Sequence, residues 1–309
     1  MQTKARPRSL VLEDLPRGVP VAADKHVLRG RTAVVTGAAR GVGEAVARRL
    51  AERGARVALL GLEEDALAEV AAGLPTASHH WHVDVTDDAA MAEAARAVRS
   101  RMGRASVVVA NAGVAEGGPF VDSDSETWRR VIEVNLVGSS ITARAFLPDL
   151  LVTRGYYLQI ASLASIGAAP MMSAYCASKA GVEFFAHSLR AELAPRGVGV
   201  GTAYLGWTDT DMIRDADQHA VLRELRAHMP PPARKVYPVR QVAEVLVSSV
   251  ERRAPTVYVP GWLRSVQVVR ALLPGLVTRL SRQELMRSDF SATGLLGAGG
   301  RAAATGHDI

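Results

Sequence analysis

Between residues 32 and 259 the chain alternates short runs of Val, Ala and Leu with longer segments of helical period, and few folds accept that pattern. The runs fall at residues 32–36, 56–60, 80–84, 106–110, 156–161, 198–203 and 256–259, and are read as strands. The helical segments fall at 41–53, 64–72, 87–101, 125–150, 173–194 and 239–252. Successive strands joined through helices run parallel, and their crossovers place helices on both faces of the sheet. Strands covered on both sides carry no polar face, which matches runs that are apolar almost throughout. The expected fold is a doubly wound α/β domain over residues 30–261, with about seven strands. An irregular, proline-containing arm (1–29) precedes it. An arginine-bearing amphipathic segment (262–287) and a Gly/Ala-rich tail follow, together 262–309, the tail being read as disordered. Residues 208–237 carry alternating charges and three prolines, and are read as a cover over a site.

Composition removes several alternatives. The single cysteine, Cys176, permits no intrachain disulfide and fits a reducing compartment. No apolar run approaches the ~18 residues of a spanning helix, so a cytoplasmic protein is expected. The net charge of +6 is scattered rather than gathered on a motif, which argues against nucleic acid as a partner. Segment 262–287 has the makings of a membrane-surface helix, but packing on its own domain or on another subunit is preferred. His79, His80 and His82 lie in or before a strand without a matching ligand set, so no metal site is expected.

The first strand runs into Thr36-Gly37-Ala38-Ala39-Arg40-Gly41-Val42-Gly43 and then a helix. Glycines at such a turn permit positive φ and let the backbone approach a pyrophosphate. The helix start at Gly41, Val42 and Gly43 supplies free N–H groups and partial positive charge. The spacing is T-G-x-x-x-G-x-G rather than G-x-G-x-x-G. Further on, Tyr175 and Lys179 are four residues apart in a helical segment and so share one face. A free phenol, with pKa near 10, is a poor proton carrier at neutral pH. A neighbouring ammonium favours the phenolate and makes the pair usable as a general acid/base. Ser162 stands thirteen residues upstream, where the fifth strand should end, with Ser165 as a rival hydroxyl. Cys176 adjoins Tyr175 but points about 100° away around the helix and is read as packing.

These motifs resemble the short-chain dehydrogenase/reductase family, over about residues 30–260: the glycine turn, Asp84, Asn111-Ala112-Gly113, and Ser162 followed by Tyr175-x-x-x-Lys179. The resemblance implies a Rossmann-like fold and a homodimer or homotetramer. The implied chemistry is hydride transfer between NAD(P) and a small-molecule carbonyl or alcohol. It implies that Asp84 and Val85 lie by the adenine, and that Asn111, Ala112 and Gly113 shape the turn after the fourth strand. By the same resemblance Asn135 holds a water in a proton relay behind Lys179. Thr210 touches the nicotinamide carboxamide or the pyrophosphate. Two departures stand out: Ala110 replaces the first Asn of NNAG, and Leu205 replaces the proline before Gly206. The ribose-discriminating position falls on Gly61, which is no carboxylate, and Arg40 in the glycine turn is able to pair with a 2′-phosphate. NADP(H) is therefore favoured slightly over NAD(H), with Glu63 read as an exposed residue at a helix start. The apolar residues Met171, Met172, Met212, Ile213, Val221, Leu222, Leu225 and Met229 suit a lipophilic substrate. A non-catalytic NAD(P)-binding sensor or scaffold is the alternative, as is epimerisation or dehydration on the same Tyr and Lys.

Overall fold

The computed structural model describes residues 27–219, 223–224, 226–227, 229, 231–285 and 292–296. The arm up to residue 26, the expected cover residues Val221, Leu222 and Leu225, and most of the Gly/Ala-rich tail lie outside the described residues.

The chain runs β1 (Thr32–Thr36), α1 (Gly41–Glu52), β2 (Arg56–Gly61), α2 (Glu64–Ala72), β3 (Ser78–His82), α3 (Asp88–Met102), β4 (Ala105–Ala110) and a two-residue β5 (Ala115–Glu116). Then come α4 (Ser125–Ile132), α5 (Gly138–Thr153), β6 (Tyr156–Ser162), α6 (Leu163–Ile166), α7 (Ser173–Leu193) and β7 (Gly199–Leu205). The last elements are α8 (Asp211–Gln218), α9 (Pro231–Arg234), α10 (Val239–Glu251), β8 (Thr256–Val259), α11 (Leu263–Val268), α12 (Leu273–Leu285) and β9 (Leu295–Leu296). Seven strands form one sheet in the order β3-β2-β1-β4-β6-β7-β8. Every neighbouring pair in it is parallel.

The core divides into two layers because both sheet faces are apolar. Val35, Val57, Leu59 and Val109 pack with Val46, Leu50, Leu246 and Val250 of α1 and α10. Val34, Ala58, Val108 and Tyr157 pack with Met91, Val98, Phe146 and Leu189 of α3, α5 and α7. The helix starts follow their sequence: Asp87 accepts from Ala90 N and caps α3, and Asp124 accepts from Thr127 N and caps α4.

Three differences from the expected elements have physical causes. The third strand lies at 78–82 rather than 80–84, because it is the edge strand and burial selects its residues weakly; His79 and His82 are exposed on it. The long helix expected over 125–150 is interrupted by a π turn at Glu133–Val137, which re-aims the helix around Asn135. Leu295–Leu296, in the stretch read as a disordered tail, pairs antiparallel with Ala115–Glu116. The backbone makes those bonds regardless of side chain, so composition gives no warning of them.

Strand order reverses between β1 and β4. A crevice opens at such a switch point, outside the carboxyl ends of the strands.

Candidate active site

That crevice is a single cleft, lined from the ends of β1, β2, β4, β6 and β7. Among the residues expected at a site, all line it except Gly43 and Asn135, which lie beneath it.

The glycine turn is fixed by close approach. Gly37 and Gly41 hold φ values of +62° and +57°, which glycine adopts without strain. A Cβ on Gly43 would fall 2.0 Å from the Gly37 carbonyl oxygen, so no other residue fits. The neighbouring turn is tied to it: Thr36 Oγ1 accepts from the amides of Asn111 (3.0 Å) and Ala112 (3.1 Å). Asn111 Nδ2 donates to Thr36 O at 3.1 Å. Asn111 is thus a strut between the ends of β1 and β4. Thr210, just before α8, lies against Gly41, within 3.3 Å of where a Cβ there would sit.

Elsewhere along the cleft, Asp84 is committed by its neighbours. Its Oδ2 accepts from Arg130 at 2.6 Å, and its Oδ1 accepts from the Thr86 amide (2.9 Å) and hydroxyl (2.8 Å). Burial works against the charge, but Arg130 and Thr86 outweigh it and hold the carboxyl below the ordinary aspartate range. Arg130 itself lines the cleft and was not foreseen; it follows another arginine on α4, and nothing in the sequence tells the two apart.

Glu63 departs from its expected place. It stands at the start of α2, yet faces the cleft and lies 3.3 Å from Arg40 Nη2. Asp211 of α8 approaches Arg40 Nη1 at 3.7 Å. Arg40 therefore sits between two carboxylates, and its Nε is buried without a hydrogen-bond partner among the described residues.

At the other end, Ser162 closes β6 and Tyr175 rises from the first turn of α7, and both line the cleft. Burial raises the Tyr175 pKa, and the neighbouring Ser162 hydroxyl offsets this in part. Lys179 Nζ lies 5.7 Å from the centre of the Tyr175 ring and donates to Ile160 O at 3.3 Å. Burial lowers Lys179 to about 8. The expected depression of the tyrosine by lysine does not appear: burial of the phenol dominates, and the group that lowers it is Ser162. Ser165 does not compete with Ser162: its hydroxyl donates to Lys179 O at 2.7 Å and is buried. Asn135, on the π turn, accepts from Val114 N (2.8 Å) and donates to Val114 O and Ser178 Oγ (both 2.9 Å). Its side chain spans the gap between the end of β4 and α7, beside Gly113 and Lys179. Cys176 packs against Ala169, and burial pushes its thiol up.

Comparison with known proteins joins this geometry to a lineage. The family model described as short chain dehydrogenase matches residues 31–220. The chain belongs to that family. It is 36% identical to the cis-4-hydroxycyclohexanecarboxylate dehydrogenase of Sinomonas cyclohexanicum, over 70% of this chain and 87% of that one. It is 33% identical to an uncharacterised oxidoreductase of Staphylococcus saprophyticus, over 62% of this chain and 83% of that protein. A solved short-chain type dehydrogenase/reductase from Mycobacterium marinum superposes with a TM-score of 0.67 at 26% identity, covering 75% of this chain and 94% of that one. As a short-chain dehydrogenase/reductase, the chain is an oxidoreductase of the kind that acts on CH–OH or C=O groups with NAD(P).

Proposed function

We propose that this enzyme interconverts a lipophilic carbonyl compound and its secondary alcohol, with Tyr175 as general acid/base. The observation that carries the reading is one cleft lined by the glycine turn at one end and by Ser162, Tyr175 and Lys179 together at the other. The residues fit a dinucleotide: the Gly37–Gly43 turn leaves no Cβ between backbone and ligand, and the helix it opens offers N–H groups to a pyrophosphate. When bound, the nicotinamide supplies or takes the hydride at its C4.

The chain's own residues then handle the oxygen. In the reducing direction Tyr175 donates its proton to the substrate oxygen, and Ser162 donates a hydrogen bond to the same atom as charge develops there. Lys179, held by Ile160 O, presents its ammonium to the phenol from below and favours the phenolate left behind. Asn135 keeps Val114 and Ser178 in place behind Lys179, as part of a proton path. Met212 and Ile213 line the substrate side, and Met172 and Leu296 lie in the apolar cluster behind Met212. That wall suits an alicyclic or other lipophilic ketone, and the named activity of the Sinomonas relative belongs to the same chemical class.

For the cofactor, Gly61 and Arg40 support NADP(H), with the 2′-phosphate taking the place of Glu63 on Arg40. The Arg40–Glu63 pair itself supports the second reading, NAD(H), in which Glu63 accepts from the ribose hydroxyls. Calorimetric titration with NADH and NADPH separates them. Glu63→Gln should tighten NADPH under the first reading and weaken NADH under the second. Oxidation of either cofactor by a panel of cyclohexanones, present in the wild type and absent in Tyr175→Phe, tests the reaction. Equal turnover by the two proteins would sink the role given to Tyr175.

A further inference from the structure

Past the family-matched residues 31–220 the chain adds α11 and α12, and their outer side is apolar. Val268, Leu272, Leu276 and Leu280 are 82, 72, 51 and 62% exposed. The three leucines recur every fourth residue, so they form one stripe. The segment is not loosely attached. Leu263 is fully buried, and Val266 and Leu273 pack against the cluster of Ile166, Val182 and Tyr204. Arg270 pairs with the buried Glu183 at 2.7 Å and donates to Ser165 O at 3.0 Å. The inner side is thus already spent on the domain, and the stripe is a second, outward face.

Its charge is one-sided. From Arg252 to Leu285 the sequence holds six arginines and one acidic residue, Glu284, in the last turn of α12. Arg264, Arg279 and Arg282 are exposed. At about 100° per residue, Arg279 and Arg282 border the leucine stripe on the side away from Leu273 and Val277. An apolar stripe rimmed mainly by cations complements a surface that is anionic outside and apolar just beneath, which describes an acidic phospholipid bilayer. Self-association through the same stripe would instead bring like charges together. No described helix is long and apolar enough to cross a membrane, so the geometry calls for contact in the plane of the interface.

We propose that α11 and α12 dock this enzyme on anionic lipid bilayers. Leu272, Leu276 and Leu280 enter the headgroup boundary, and Arg264, Arg279 and Arg282 meet the phosphates. The proposal goes beyond the oxidoreductase reading and is tested without turnover. The full-length protein is sedimented with vesicles of equimolar phosphatidylcholine and phosphatidylglycerol, and with phosphatidylcholine alone, at low and high salt. It should sediment with the anionic vesicles only, and be released by salt. Replacing the three leucines with Gln should reduce the bound fraction roughly tenfold. Arg279→Gln with Arg282→Gln should remove the preference for phosphatidylglycerol. Both variants change exposed residues, and unchanged circular dichroism and cofactor binding would verify that they are folded. The proposal is overturned by no sedimentation with anionic vesicles, or by undiminished binding of the leucine variant. It is overturned equally if the leucine changes convert a dimer to a monomer without altering vesicle binding, since the stripe would then be an interface between copies.

Discussion

The two ends of the cleft are built by different means. The end proposed for the cofactor rests on backbone at its turn: positive-φ glycines and the Gly43 approach, with the Asn111 side chain tying β1 to β4. The end proposed for the substrate is made of side chains, Met212 and Ile213 of α8, backed by an apolar cluster drawn from distant stretches: Met172 before α7, Ala216 in α8 and Leu296 in β9. A backbone site admits almost no substitution, because an added carbon has nowhere to go. A side-chain wall tolerates exchange and changes what fits. One end therefore fixes the chemistry, and the other is free to choose the substrate.

Tyr175 stands on the seam, since it lines the cleft and also packs on the substrate-side cluster. Its change to Phe should cost roughly a thousandfold in kcat, with cofactor affinity kept. Loss of cofactor affinity as well would place Tyr175 in the cofactor end and blur the division. Gly43→Ala should be the severest change in the backbone end, because its Cβ would meet the Gly37 carbonyl at 2.0 Å. A destabilisation of about 3 kcal/mol by urea unfolding, together with loss of NAD(P)H binding, is expected. Retention of both would mean that this turn yields as readily as a side-chain wall.

Lys179 offers a test through pH. In the protein alone burial lowers it from 10.5 to about 8. Across that window the unfolded chain carries a proton the folded one has released, so folding becomes more favourable as pH rises. Measured against Lys179→Met, wild-type stability should climb by up to about 3 kcal/mol between those pH values. A flat difference would mean that Lys179 is better solvated than its burial implies. Leu296→Ala should have the smallest effect: roughly a tenfold rise in KM for bulky ketones, with kcat and cofactor affinity unchanged. A fall in kcat of similar size would mean that β9 supports the chemistry as well as the fit.

The same division explains what was legible in the sequence. Gly37, Gly41 and Gly43, the Ser162–Tyr175–Lys179 spacing and the apolar strands are local patterns, and each reports its own backbone. Glu63 was read as an exposed helix-start residue because its significance, like that of Asp211, lies in the approach of α2 and α8 to Arg40, which no local pattern encodes. Asn135 was found, but the π turn that carries it was not, since Glu133–Val137 keeps helical residue preferences. β9 was missed for the opposite reason: its pairing with β5 rests on backbone bonds and two leucines within a glycine-rich stretch.

That pairing has a bearing on how such enzymes diversify. Ala115↔Leu296 and Glu116↔Leu295 are joined as strand partners, and the Gly117 and Thr293 backbones are linked beside them, so the attachment asks little of the side chains it carries. A segment held by its main chain behaves like an interchangeable insert. Grafting the corresponding stretch from a relative, or randomising Leu295 and Leu296, would exchange the packing behind Met212 while the glycine turn and α7 stay where they are.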